Sequence, residues 1–133
     1  MAAERPVRLA VLGAGMIGKR HIEHIQGESG AALIAIADPS PEAKAFAEAM
    51  GAPWYADFAM MLAHGEPDGV IVATPNQMHV ANGMRCIEAG IPALIEKPIA
   101  DDIAEATKLV EAAERAGVPL MVGHHRRHNP IIQ

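Results

Sequence analysis

The sequence predicts an α/β fold: a six-stranded parallel sheet with helices on both of its faces. Three observations carry this expectation. Short apolar, β-type runs alternate with helix-period segments along the whole chain. Those runs are nearly continuous in apolar residues, as strands covered on both faces are. A glycine-rich turn, "GAGMIG" at residues 13–18, joins the first run directly to the first helical segment.

The elements follow in order. "VRLAVLG" (7–13) is a compact apolar strand ended by glycine, and residues 15–26 turn helical, with Ile17, His21, Ile22 and Ile25 near one face. "AALIAIAD" (31–38) is the second strand. Ser40 then caps a helix with Pro41 at its first position and Glu42 in its first turn, and Gly51 ends it. "PWYA" is a brief third strand, and Asp57 caps "DFAMMLAHG". "DGVIVATP" (68–75) is the fourth strand, followed by a helix to about Ala89 that Gly90 closes. "IPALIEKP" (91–98) is the fifth. "DDIAEATKLVEAAERAG" is a helix with acidic residues at its start, Ile103, Ala106, Val110 and Ala113 along one face, and Gly117 past its end. "VPLMVG" (118–123) is the sixth strand. Six such strands joined by right-handed crossovers make two mononucleotide-binding halves, the Rossmann arrangement with strand order 3-2-1-4-5-6. It occupies residues 5–123, leaving 124–133 as the start of a link.

Bulk properties narrow the function classes. With 133 residues, 50% hydrophobic and 20% charged, the chain suits one domain with a real core. A formal charge of −5 gives no electrostatic footprint for nucleic acid. The longest apolar runs fall far short of the ~18 residues of a membrane span. The N-terminus has no basic-then-apolar signal layout, so a cytoplasmic address is expected. The single cysteine, Cys86, excludes an internal disulfide and lies inside an apolar helix pattern, where a small buried residue is expected rather than a reactive thiol.

The glycine turn fits G-x-G-x-x-G at Gly13, Gly15 and Gly18, and its place between a strand and a helix gives the pattern meaning. Gly13 permits the tight turn, Gly15 lets backbone approach a pyrophosphate, and Gly18 lets helix and strand pack closely. The N–H groups around Met16 and Ile17 would face the phosphates. Asp38 ends the second strand 20 residues after Gly18, where an acid accepts hydrogen bonds from the adenosine ribose. It would repel a 2′-phosphate, and Pro39, Ser40 and Pro41 bring no arginine to hold one. NAD is therefore expected over NADP, with Lys44 and Arg20 the residues that could reverse that preference.

Ligands in such sheets bind beyond the C-terminal strand ends. There Thr74, Pro75 and Asn76 form a polar turn suited to the cofactor's middle, and His79 begins the next helix, as a cofactor neighbour or as a packing residue. Lys97, where an apolar strand meets Pro98 beside Glu96, is placed to hold a substrate oxygen or exchange a proton.

Four segments, "GAGMIGKRHIEHI", "AIADPS", "ATPNQMHVANGMRCIEAGIPALIEKPIA" and "VGHHRRHNP", resemble in order the N-terminal domain of the Gfo/Idh/MocA oxidoreductases, which include glucose–fructose oxidoreductases and inositol dehydrogenases. The T-P-N-x-x-H turn and the E-K-P triplet are the specific parts. The resemblance implies a two-domain NAD(P)-dependent dehydrogenase acting on sugars, polyols or related small molecules, homo-oligomeric through its second domain. It implies that Lys97 contacts substrate beside the nicotinamide, with Glu96 and the Asn76–His79 turn lining that side. It also gives Arg127 a substrate role, since Arg127, His128, Asn129 and Pro130 occupy the family's arginine, aromatic, polar and proline places. His128 departs from the aromatic. A second, mostly antiparallel domain would supply a catalytic aspartate and histidine, so these residues read as the cofactor domain of a longer enzyme, inactive alone.

Two other classes stand beside this one. A non-catalytic nucleotide-binding or regulatory module would need no second domain. Methyl transfer from S-adenosylmethionine shares a glycine loop and an acid, but the E-K-P triplet and six-strand layout oppose it. In "GHHRRHNP", His124, His125 and His128 suggest a metal, yet the first two diverge on a continuing strand and no cysteine or carboxylate completes a tetrahedron, so none is expected. Arg126 and Arg127 read as anchors for oxygens and for the domain link.

Overall fold

The aliphatic runs form strands because both of their faces meet apolar neighbours. In the structure, a computed structural model that describes residues 4–124, 130 and 131, they are β1 (Val7–Leu12), β2 (Ala31–Ala37), β3 (Trp54–Tyr55), β4 (Gly69–Val72), β5 (Ala93–Ile95) and β6 (Leu120–Val122). All pairings are parallel, in the order β3-β2-β1-β4-β5-β6. This is the Rossmann order expected from the sequence. The helices are α1 (Met16–Gly27), α2 (Pro41–Met50), α3 (Phe58–Gly65), α4 (His79–Glu88) and α5 (Ile103–Ala116).

Two apolar layers result. On one face Ile22 and Ile25 of α1 and Ala43 and Ala47 of α2 pack with Val11, Ile36 and Ile71. On the other, Phe58 and Met61 of α3, Cys86 and Ile87 of α4, and Leu109 and Ala113 of α5 pack with Leu12, Val70, Val72 and Ile95. Over β4–β6 the first face is open among the described residues: a groove of about 520 Å³ runs past Leu9, Ile71, Leu94 and Met121. No helix among the described residues is long and apolar enough to cross a membrane.

Helix ends follow the sequence closely. Ser40 Oγ, Asp57 Oδ1 and Asp102 Oδ1 accept from the N–H groups of Ala43, Met60 and Glu105 at 3.1, 2.8 and 2.8 Å. Each such cap is worth about 1 kcal/mol. Gly51 and Gly117 close α2 and α5 in the left-handed region.

Two expectations are corrected. The buried residues of α5 are Leu109 and Ala113, with Ala106 half-buried, whereas Ile103 and Val110 are 86% and 40% exposed. The Leu109 methyls pack over Gly83 of α4, where an added Cβ would stand 2.9 and 3.2 Å from them. Strand β5 covers three residues rather than 91–98; at its start the Ile91 N–H closes α4 on Cys86 O and Pro92 has no N–H to give a ladder.

Cys86 is fully buried, and burial pushes its thiol up to about 12. At pH 8 it therefore remains protonated as well as inaccessible. Ellman's reagent should titrate one thiol per chain in denaturant and react negligibly with the native protein; rapid native labelling would contradict this packing.

Candidate functional site

Parallel register brings the functional residues to one edge. Ala37, Leu12, Val72, Ile95 and Val122 form the last paired row across β2, β1, β4, β5 and β6. The residues that follow them, Asp38, Gly13, Ala73, Glu96 and Gly123, therefore leave the sheet side by side. The N–H groups of Gly13, Ala73, Glu96 and Gly123 still donate to Ala37, Leu12, Val72 and Ile95 carbonyls at 2.8–3.0 Å. Each loop thus starts from a fixed point.

The glycine turn is shaped by two close approaches. Gly13 has φ +87°, and a Cβ there would stand 2.5 Å from the Ala73 carbonyl oxygen. A Cβ on Gly18 would overlap the Gly13 carbonyl oxygen. Gly15 differs, since a Cβ there meets nothing within 4 Å of the chain. It also precedes α1 without any side-chain cap, so the first-turn N–H groups of Met16, Ile17 and Gly18 are unengaged among the described residues. Open space over Gly15, free N–H groups and the positive end of α1 fit a pyrophosphate. Met16 and Ile17 are exposed at this point rather than packed in the core.

Asp38 is tied to that turn. Its Oδ2 accepts from Ala14 N–H at 2.9 Å and its Oδ1 from Ser40 N–H at 2.8 Å. Trp54 Nε1 donates to the Asp38 carbonyl at 2.9 Å, and the Lys44 ammonium lies over the Trp54 ring. Partial burial pushes the Asp38 carboxyl up, but donors from Ala14 and Ser40 outweigh it and hold the group below its ordinary 3.8. The folded state thus binds this proton more weakly than the unfolded chain. The stabilisation is complete above that ordinary value and is lost as pH falls through the lower folded one. Asp38→Asn should accordingly show a flatter acid limb than the wild type in urea unfolding below about pH 4. Parallel limbs would remove the carboxylate from that role.

On the other side of β1, Thr74 and Pro75 lead into a single 3-10 turn at Asn76–Met78. Asn76 is exposed to the edge and its side-chain amide has no partner among the described residues. Thr74 is held twice from behind: Asn82 Nδ2 donates to its Oγ1 at 3.2 Å, and His79 Nε2 lies 2.9 Å from its carbonyl oxygen. His79 is buried, with Nδ1 2.7 Å from the Pro98 carbonyl. Its ring thus joins the Thr74 turn to the Lys97 turn instead of facing the crevice. Between Asp38 and Thr74 lies a cavity of about 210 Å³, floored by Leu12 and bordered by Phe58, Met78 and Arg85.

Lys97 is exposed at the third loop, and no carboxylate pairs with its ammonium among the described residues. Glu96 turns instead to a residue sequence reasoning missed: His21 Nε2 lies 2.6 Å from Glu96 Oε1. The sequence places His21 with the apolar face of α1, but only Ile22 and Ile25 are buried there, and Ile17 is 45% exposed. One signal was present. Gly18 must face the sheet to meet Gly13, so His21, one turn later, flanks that same face at the crevice end.

Of the final string, His124 is described; its N–H donates to Val122 O at 2.8 Å. His125, Arg126, Arg127 and His128 lie outside the described residues. No group of three metal-ligating side chains occurs among the described residues.

Residues 7–124 match the family model Gfo/Idh/MocA, described as an oxidoreductase family with an NAD-binding Rossmann fold. The chain is 33% identical over 129 residues to 4-carboxy-2-hydroxymuconate-6-semialdehyde dehydrogenase of a Sphingobium species, covering 96% of this chain and 41% of that protein. It is 36% identical to inositol 2-dehydrogenase 4 of Saccharopolyspora erythraea, covering 96% and 39%. Among solved structures, the WlbA dehydrogenase from Bordetella pertussis, in complex with NADH and UDP-GlcNAcA, superposes with a TM-score of 0.91 at 35% identity, covering 97% of this chain and 40% of that one. The chain therefore spans about two fifths of the length of these relatives. From the fold, the glycine turn with its acid, and a family match over nearly every described residue, the chain belongs to the Gfo/Idh/MocA oxidoreductases, whose NAD-binding Rossmann domain it carries.

Proposed function

We propose that this domain binds NAD along the strand-end crevice and serves a dehydrogenase acting on a hydroxyl group of a sugar, polyol or related small molecule. One observation carries the reading: the Asp38 carboxylate, the uncapped start of α1 and the unpaired Lys97 ammonium follow one another along one sheet edge, in the order needed by adenosine ribose, pyrophosphate and substrate. The inositol and UDP-sugar chemistry named for the relatives supports the substrate class.

Bound NAD supplies the hydride acceptor at its nicotinamide C4. The chain's residues do the rest. Met16, Ile17 and Gly18 offer N–H groups to the phosphates, and Gly13 and Gly15 keep backbone close to them. Asp38 accepts from the adenosine ribose and disfavours a 2′-phosphate, with Lys44 drawn onto Trp54. Thr74, Pro75 and Asn76 meet the cofactor's middle, with His79 fixing that turn from behind. Glu96 borders the nicotinamide side. Lys97 donates to the substrate oxygen and stabilises the alkoxide character it gains as its hydroxyl proton passes to a base outside this domain and hydride passes from the carbon to the nicotinamide. Arg127 joins it as a substrate contact. The reading places the parent enzyme in the cytoplasm as a homo-oligomer, without nucleic-acid or membrane partners.

NADH titration tests the cofactor half directly. Trp54, the single tryptophan, touches the Asp38 backbone, so its fluorescence should fall as NADH binds and cofactor emission should rise. NADH should bind at least about tenfold more tightly than NADPH, a difference of about 1.4 kcal/mol. Flat fluorescence together with flat calorimetry would refute the site.

A further inference from the structure

We infer that His21 is a positioning residue: it holds the Glu96 carboxylate on the α1 side of the crevice and so leaves the neighbouring Lys97 ammonium free for a substrate oxygen. This deepens the proposed role of Lys97 and rests on it. Glu96 and Lys97 are consecutive, opposite in charge and placed where β5 has ended, so nothing in the strand itself keeps them apart. Three contacts do. Glu96 Oε1 lies 2.6 Å from His21 Nε2; a carboxylate oxygen only accepts, so that nitrogen carries the proton. Glu96 Oε2 accepts from the Lys97 backbone N–H at 3.3 Å. The third side is Gly123, where a Cβ would stand 3.0 Å from both carboxylate oxygens. The His21 and Glu96 side chains keep only 22% and 19% exposure.

Lysine partners point the same way. Lys19 lies over the Phe46 ring, Lys44 over the Trp54 ring, and Lys108 pairs with Glu105. Lys97 alone among the four has no side-chain partner among the described residues, although a carboxylate is its immediate neighbour. The residue that takes that carboxylate away stands 75 positions earlier. His79 does the complementary work on the other flank, reaching the Pro98 carbonyl. Two histidines from α1 and α4 thereby fix the residues on either side of Lys97, and leave the lysine itself unengaged.

Acylation of this chain by the N-hydroxysuccinimide ester of acetate reads the pairing. The rate at Lys97 is measured at one pH by mass spectrometry, relative to Lys108, with circular dichroism verifying the fold of each variant. In His21→Ala the released Glu96 pairs with Lys97, and its relative rate should fall about tenfold. His21→Gln keeps a neutral donor near the Nε2 position and should restore the wild-type rate within about twofold. The double variant His21→Ala with Glu96→Gln should restore it too, because the competing charge is gone. Glu96→Gln alone should leave the rate unchanged. The inference is overturned if folded His21→Ala acylates like wild type, if His21→Gln is as slow as His21→Ala, or if Glu96→Gln alone accelerates Lys97. These rates report the ion pairing only, whereas turnover of a Lys97 variant of the parent enzyme reports the substrate role, so each can fail without the other.

Discussion

Gly18→Ala should cost about 3 kcal/mol of stability, with NADH binding lost as the turn deforms. The added methyl would overlap the Gly13 carbonyl oxygen, and its next neighbour is the carbon of that carbonyl at 2.8 Å. Neither atom belongs to a flexible side chain. Relief requires α1 to move away from the end of β1, which would pull Ile22 and Ile25 from their layer with Val11 and Ile36. A lower midpoint in urea at unchanged slope is the expected reading. Gly15→Ala is the informative contrast. Its backbone is extended, with φ −74° and ψ −165°, and the new methyl meets no atom of the chain. Stability should hold within about 0.5 kcal/mol, while NADH affinity falls about tenfold or more because the methyl occupies the space intended for the pyrophosphate. A stable Gly18→Ala, or a Gly15→Ala that binds NADH normally, would separate the glycine pattern from its two assigned jobs.

Local chemistry explains which parts were legible in the sequence. The strand–glycine–helix unit, the Asp38 position and the caps at Ser40 and Asp57 each depend on neighbours within a few residues, so composition and spacing expose them. Strand order follows from crossover handedness, and with it the convergence of Gly13, Asp38, Thr74 and Lys97 on one edge. The α5 face was misread because an alanine-rich helix offers several apolar stripes, and the choice of Leu109 depends on a gap over Gly83 in another helix. His21 and His79 were obscured for a related reason. Whether a histidine packs, caps or clamps depends on which carbonyl or carboxylate stands opposite, and those partners, Glu96 and Pro98, lie on a distant loop.

In the parent enzyme, Lys97→Met should lower kcat by about a hundredfold or more while the NADH dissociation constant stays within about threefold of wild type. Methionine keeps most of the aliphatic stem and removes the charge and the three donors. Because Lys97 is exposed and its ammonium has no partner among the described residues, its removal strands no buried charge, and stability should change by less than about 0.5 kcal/mol. The Glu96 carboxylate keeps its His21 contact, so the nicotinamide side of the crevice is not disturbed. A fall in kcat, with folding and cofactor binding preserved, can then arise only at the substrate oxygen. Purely structural roles predict the opposite pattern, with midpoint and affinity falling together. Unchanged turnover would transfer the charge stabilisation at that oxygen to residues outside this domain and leave Lys97 as a solvated strand-end lysine.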